Sequence, residues 1–415
     1  MKEVKEKVYP SGLRLLTQEM PNFSSVSIAV LVKVGSKNEI PSEEGLSHFV
    51  EHMLFKGTTT RTSEDIAKTL SNEGVDYNAW TSSDSTCYHT RGLIDNAPVC
   101  MDILSDMYFN LKFPDDDFER EAEVICQEIA MHNDNPRSAL YELAGSTYFK
   151  GTQYEHPIAG TAKQIKGYKP SSIYNYIKKH YKPQNTIIAI SGNITEKQAD
   201  ELVLKYFESK FKAKNLPNLA KPAKQLIKPA PSKVFRKRKI AQQNVMIMFP
   251  AISSNDDRRY GVSLLREVFA GDMSSRLFLN IREKLGLVYT ISGGIDLTPI
   301  GGNFYIYFSC TPKNTKRVID AVKLEVQKLV AGGVLAEELE KVKKIKRTNR
   351  LFASESVEGV NLRNAESIAE YNKITTDEEY LKIIDAITVD DLNGLAREIF
   401  KLENAIYACV GGAKV

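Results

Sequence analysis

The sequence predicts an α+β fold made twice: two similar domains, each a largely antiparallel sheet packed with helices, joined by a Pro/Lys-rich linker. Three observations predict it. First, the stretch KAKNLPNLAKPAKQLIKPAPS at 212–232 carries four prolines in a lysine-rich setting and divides the chain into segments of about equal length. Second, the two segments share patterns in the same order. KHYKPQNTIIAISG, ending at Gly192, matches REIFKLENAIYACVG, ending at Gly411, and HMLFKG, ending at Gly57, matches REVFAG, ending at Gly271. Third, strands and helices are mixed without strict alternation, which disfavours a parallel doubly wound sheet.

The elements follow from periodicity. Residues 27–34 (SIAVLVKV) and 185–191 (NTIIAIS) are short, β-branched apolar runs bounded by turn residues and are expected to be buried strands. VMIMF and FYIYFSC repeat that character in the second segment. Helical spacing appears around 43–56, 63–73, 97–111, 116–133 and 318–330. The expected domains are therefore 1–211, a linker at 212–232, and 233–415.

Composition narrows the function classes. With 56 basic and 52 acidic residues in 415, the net charge of +4 is too balanced for a nucleic-acid surface. The lysine-rich runs at 236–239 and 343–347 are expected to be solvated faces. Five scattered cysteines without Cys-x-x-Cys spacing are expected to be free thiols of a reducing compartment. MKEVKEKVYPSGLRLL lacks the apolar core of an export signal, and no apolar run approaches the length of a membrane span. The expected location is cytoplasmic, or an organellar matrix if a leader has been removed, with no membrane and no nucleic-acid partner.

The chemistry concentrates in HFVEHMLFKGT. His48 and His52 lie one helical turn apart and project from one face of a helix, so they can grip one metal ion, with Glu51 beside it as base for an attacking water. This is a zinc-hydrolase word, His-x-x-Glu-His, the reverse of the commoner His-Glu-x-x-His. A catalytic tetrahedral zinc needs a third protein ligand. In FEREAEVICQEIAMH the inward stripe passes through Phe118, Glu121, Ala122, Ile125, Glu128 and Ile129, and a carboxylate on such a stripe is costly unless paired or metal-bound. Glu121 and Glu128 are the anomalous residues of that helix. In the register of the duplication, His48, Glu51 and His52 fall over Val262, Leu265 and Arg266, so the second half is expected to hold no metal and to shape the cleft.

Together these residues resemble the pitrilysin-type inverzincin metallopeptidases, most closely the small members related to the mitochondrial processing peptidase β-subunit. The resemblance extends over the whole chain and implies one Zn2+ per chain held by His48, His52 and Glu128, with Glu121 supporting the site and Glu51 as general base. YNAWTSSDSTCYH resembles the family's Asn-Ala-x-Thr strand, which implies that Asn78 and Ala79 hold an extended peptide by main-chain hydrogen bonds. Arg282 and Tyr289 match the family's arginine and tyrosine pair that approaches the scissile carbonyl. The resemblance further implies a zinc endopeptidase acting on unfolded peptides or presequences. It implies a homodimer or a homologous partner subunit, with each site shared between chains. The competing reading is a catalytically silent core subunit of a processing or respiratory complex; the retained ligand set disfavours it.

Overall fold

The computed structural model describes residues 2–211 and 226–414. The expected linker at 212–232 therefore falls mostly outside the described residues. Of its described part, Ile227 donates its N–H to the Ile300 carbonyl and packs with Met246 and Met248.

Six strands form the first sheet: β1 (Lys5–Val8), β2 (Arg14–Glu19), β3 (Ser25–Val32), β4 (Asp76–Thr81), β5 (Thr86–Leu93) and β6 (Thr186–Gly192), in the order β1-β2-β6-β3-β5-β4. Among the described residues of this sheet only β2 and β6 run parallel; every other neighbouring pair is antiparallel. A parallel pair needs a long crossover, and the chain between β2 and β6 supplies it. The second sheet comprises β7 (Ser232–Lys237), β8 (Gln243–Ala251), β9 (Thr290–Thr298), β10 (Gly301–Cys310) and β11 (Ile406–Gly411), in the order β7-β11-β8-β10-β9, with β7 and β11 its parallel pair. The path β2-β6-β3-β5-β4 and the path β7-β11-β8-β10-β9 are the same topology. The expected duplication is thus present, with β1 an addition to the first sheet.

The buried strands arise from apolar residues on both faces. Along β3, Val26, Ile28 and Val30 point to one side and pack with Phe49, Val50 and Met53 of helix Leu46–Leu54 and with Met101 and Ile103 of helix Ala97–Phe109. Ala29 and Leu31, on the other side, join Leu16, Ile187 and Ala189. That second face is covered by helix Val357–Tyr371, through Leu362, Ala365 and Ile368. In the second sheet Val245, Ile247 and Phe249 pack with Val262, Leu265 and Val268, while Met246, Met248 and Tyr307 pack with Leu140, Ala144 and Tyr148 of helix Pro136–Tyr148.

The packed bodies therefore do not follow the linear division at 211 and 233. Met131–Glu155, from the first half, belongs to the second unit, and Leu351–Thr376, from the second half, belongs to the first. The physical reason is that a sheet apolar on both faces needs two covering layers, and each half donates one helix to the other's sheet.

All five cysteines are free, four of them buried. Of the run 343–347, expected on a solvated face, Lys344 and Arg347 are exposed, whereas Lys343 and Lys346 are largely covered. Lys343 donates to the Asp385 carbonyl, and Lys346 pairs with the buried Glu267 at 2.9 Å.

Candidate metal centre

Helix Leu46–Leu54 begins behind Gly45, whose φ of 91° is a left-handed turn that favours glycine. Its free N–H groups at Gly45 and Ser47 are taken by the two carboxylate oxygens of Glu39, at 2.8 and 2.7 Å. Glu39 has no exposed side-chain surface, and its burial raises its pKa against the pull of those bonds. The helix so capped presents His48 and His52 with ring centroids 4.5 Å apart.

Glu128 comes from helix Asp115–Asp134, far along the chain. Its Oε2 lies 3.9 Å from His48 Nε2 and 3.5 Å from His52 Nε2, and among the described residues these three side chains form the one group of His, Cys, Asp or Glu donors close enough to hold a metal. Donors bound tetrahedrally at 2.0–2.1 Å lie about 3.4 Å apart, so a small contraction closes the set around zinc. The orientation of His52 supports the same fit. Its Nδ1 meets Glu121 Oε1 at 2.8 Å, leaving Nε2 to face Glu128.

Glu121 is buried, and its other oxygen pairs with Lys56 at 2.5 Å. Burial alone would raise its pKa; the bonds from His52 and Lys56 outweigh this and keep the carboxyl below its usual range. Burial likewise opposes a charge on His52, but Glu121, Glu128 and Glu51 hold its pKa up. Glu51, one residue before His52, accepts a hydrogen bond from the Thr81 hydroxyl at 2.5 Å on Oε2, and its pKa is raised, chiefly by burial.

The other expected residues are placed as follows. Asn78 and Ala79 lie on β4, the edge strand of the first sheet, paired with His89 and Tyr88 of β5 on one side and, among the described residues, with no strand on the other. Asn78 is exposed, and its Oδ1 accepts from its neighbour's N–H. Arg282 and Tyr289 belong to the second unit and meet each other. The guanidinium sits 5.0 Å from the Tyr289 ring and 4.5 Å from that of Phe278, and Tyr289 is 80% exposed. Arg282 rides on a π-helical segment, Phe278–Lys284. Sequence reasoning assigned no role to Glu39 or Lys56, nor to Thr81, although Thr81 closes the Asn-Ala-x-Thr word. Lys56 is four residues after His52, in the turn just beyond the end of that helix at Leu54, a spacing that could have drawn attention to it.

The family described as Insulinase (Peptidase family M16) matches residues 14–162, the segment with His48, His52 and Glu128, and Peptidase M16 inactive domain matches 169–346. An uncharacterized zinc protease of Rickettsia felis is 34% identical over 94% of this chain and 93% of its own length. The chain belongs to peptidase family M16. A Bacillus subtilis zinc protease, likewise called uncharacterized, is 28% identical over 97% of both chains. Among solved structures, a Helicobacter pylori protease superposes with a TM-score of 0.92 at 21% identity, over 99% of each chain. A putative M16-like peptidase of Alicyclobacillus acidocaldarius gives 0.86 at 17%, over 98% of each. These two likenesses establish the M16 fold over the whole chain. The name of the second family segment agrees with Val262, Leu265 and Arg266 standing where the first half has its histidines and glutamate.

Proposed function

We propose that this M16 chain is a zinc endopeptidase that cleaves unfolded or extended peptides, with His48, His52 and Glu128 as ligands of one zinc ion and Glu51 as general base. The observation that carries the reading is the convergence of two imidazole Nε2 atoms and one carboxylate oxygen, while the glutamate between the imidazoles in sequence is bonded elsewhere and left out of the donor set. A zinc ion there would polarise the peptide carbonyl and make water more acidic. Glu51 takes the proton of the attacking water as the C–O bond forms, then returns it to the leaving amine as the C–N bond breaks. Glu121, itself held by Lys56, keeps His52 turned and basic. The open edge of β4 around Asn78 and Ala79 receives the substrate as an added strand, which selects for chains free of their own structure.

The test is cleavage of a quenched, unstructured peptide by zinc-loaded protein. The wild type cleaves it, and Glu51→Gln retains the zinc but loses at least about a thousandfold in kcat, at the upper end of what a general base supplies. Zinc-loaded wild type without activity, or a fully active Glu51→Gln, contradicts the reading. Inactivity with intact zinc binding instead favours the silent-subunit alternative.

Resemblance also motivates a shared site, in which Arg282 and Tyr289 serve the zinc of a partner chain. Mixing Glu51→Gln with Tyr289→Phe protein under conditions of subunit exchange then restores activity. Absence of recovery removes the shared site and leaves the zinc chemistry intact.

A further inference from the structure

Thr81 ends β4, the strand that carries Asn78 and Ala79, and its hydroxyl donates to Glu51 Oε2 at 2.5 Å. One side chain therefore ties the base to the strand proposed to hold substrate. The tie is anchored on a stiff frame. Thr81 pairs with Thr86 across the β4–β5 hairpin, whose turn closes through Ser82 N–H to the Ser85 carbonyl at 2.8 Å. The turn is in turn clamped by the preceding loop: Ser36 and Lys37 donate their N–H groups to the Ser82 and Ser83 carbonyls at 3.2 and 3.0 Å, and Lys37 pairs with Asp84. Gly35 permits this approach, because a Cβ there would overlap the carbonyls of both Ser82 and Ser83.

Resting on the peptidase reading above, we propose that Thr81 is a positioning residue for hydrolysis: its hydroxyl immobilises Glu51 Oε2, so that Oε1 alone exchanges the proton. A carboxylate on a side chain with three rotatable bonds has several orientations open to it, and a charge-assisted O–H···O bond selects one. The water proton passes to Oε1 while the new C–O bond forms, and the same oxygen delivers it to the amine nitrogen as the C–N bond breaks. Because the anchor belongs to the substrate strand, the distance from that oxygen to the scissile bond is fixed by three residues of one strand. The Thr81 hydroxyl acts through Glu51 and is not a member of the donor group of His48, His52 and Glu128.

The experiment compares Thr81→Val, which keeps the β-branched shape of the strand but removes the hydroxyl, with Thr81→Ser, which keeps the hydroxyl. For Thr81→Val the expected result is a fall in kcat of about 10- to 100-fold, part of the full contribution of a general base. KM should stay within about twofold and zinc content should be unchanged, as for loss of an interaction made in the transition state. Thr81→Ser returns most of the rate. A second measurement does not depend on activity: crystals of the metal-free proteins should show the Glu51 carboxylate bonded to residue 81 in wild type and Thr81→Ser, and displaced or spread over several rotamers in Thr81→Val. An unmoved, fully ordered carboxylate in Thr81→Val, or an unchanged kcat, overturns the proposal. A wild type that binds zinc but cuts no peptide defeats the peptidase reading, and the crystals still decide whether Thr81 positions Glu51.

Discussion

By receiving His52 Nδ1 at one oxygen and Lys56 at the other, Glu121 is a buried carboxylate with both ends occupied. Its effect on a metal is indirect, through the orientation and basicity of His52, so its removal should weaken binding without abolishing it. Glu121→Gln is expected to lower zinc affinity about 10- to 100-fold, as read by competition with a chromogenic chelator. His180 gives a prediction of a different kind. Its Nε2 is buried with no hydrogen-bond partner among the described residues, and burial, aided by the charge of Lys179, lowers its pKa to about 4. The folded protein thus holds the imidazole neutral while the unfolded chain takes up a proton below its ordinary value of about 6.5. Stability is full above that value and falls as the pH drops from 6.5 towards 4, by about 2 kcal/mol after allowance for partial solvent access. Urea unfolding of His180→Asn at pH 7 and pH 4.5 should show a smaller acid loss than wild type; an equal loss contradicts the assignment. The histidine word was legible in the sequence because its residues are helical neighbours. Glu128 was visible as a carboxylate on an inward stripe. The contact of Thr81 with Glu51 and the cap by Glu39 were not, although Thr81 is the threonine of the Asn-Ala-x-Thr word, since a hydrogen bond across a tertiary contact leaves no local periodicity to detect.

Asp106, on helix Ala97–Phe109, shows how an element next to the site is held. It accepts from the hydroxyls of Thr58 and Thr60, from Arg61 and from Asn110, at 2.7, 2.8, 2.7 and 2.8 Å. The loop leaving the His48–His52 helix is thereby fastened to the next core helix. Asp106→Ala leaves Arg61 with Asp102 alone, at 2.5 Å, takes the acceptor from the Thr58 and Thr60 hydroxyls, and should destabilise the fold by about 2–3 kcal/mol in urea unfolding. Helix Val357–Tyr371 is held in the same way from its buried face. Asn361 has no exposed surface, donates to the Ala189 carbonyl at 3.0 Å and accepts from the Ser191 hydroxyl at 2.9 Å. Asn361→Leu removes the acceptor of the Ser191 hydroxyl and the second donor to the Ala189 carbonyl, which keeps its ladder pairing with Ala29, and a loss of about 1–3 kcal/mol is expected by the same measurement. The apolar strands β3, β6, β8 and β10 were readable from composition because they are buried on both faces. Edge strands such as β1, exposed at all four positions, carry no such mark.

For the molecule as a whole, the exchange of helices means that neither half of the chain can close its own core. A fragment ending at 211 lacks Leu362, Ala365 and Ile368 over Leu16, Leu31 and Ile187, and its partner fragment lacks Leu140, Ala144 and Tyr148 over Met246 and Met248. Each uncovered Leu, Ile or Met forfeits roughly 2 kcal/mol of burial. Separately expressed fragments should aggregate or bind a hydrophobic dye, and co-expressed fragments should associate and unfold cooperatively; independently soluble, cooperatively folding halves would contradict the exchange. Duplication was legible through the two repeated patterns. The exchange was not, because an amphipathic helix records that it covers an apolar sheet and not which sheet. The proposed peptide hydrolysis by this chain requires three donors from two distant helices of one unit to share a single ion. Anomalous scattering at the zinc edge from zinc-loaded crystals tests this most directly. It should show one strong peak per chain within about 2.0–2.2 Å of His48 Nε2, His52 Nε2 and a Glu128 oxygen, whereas a peak without Glu128, or no peak in that half of the chain, would contradict it.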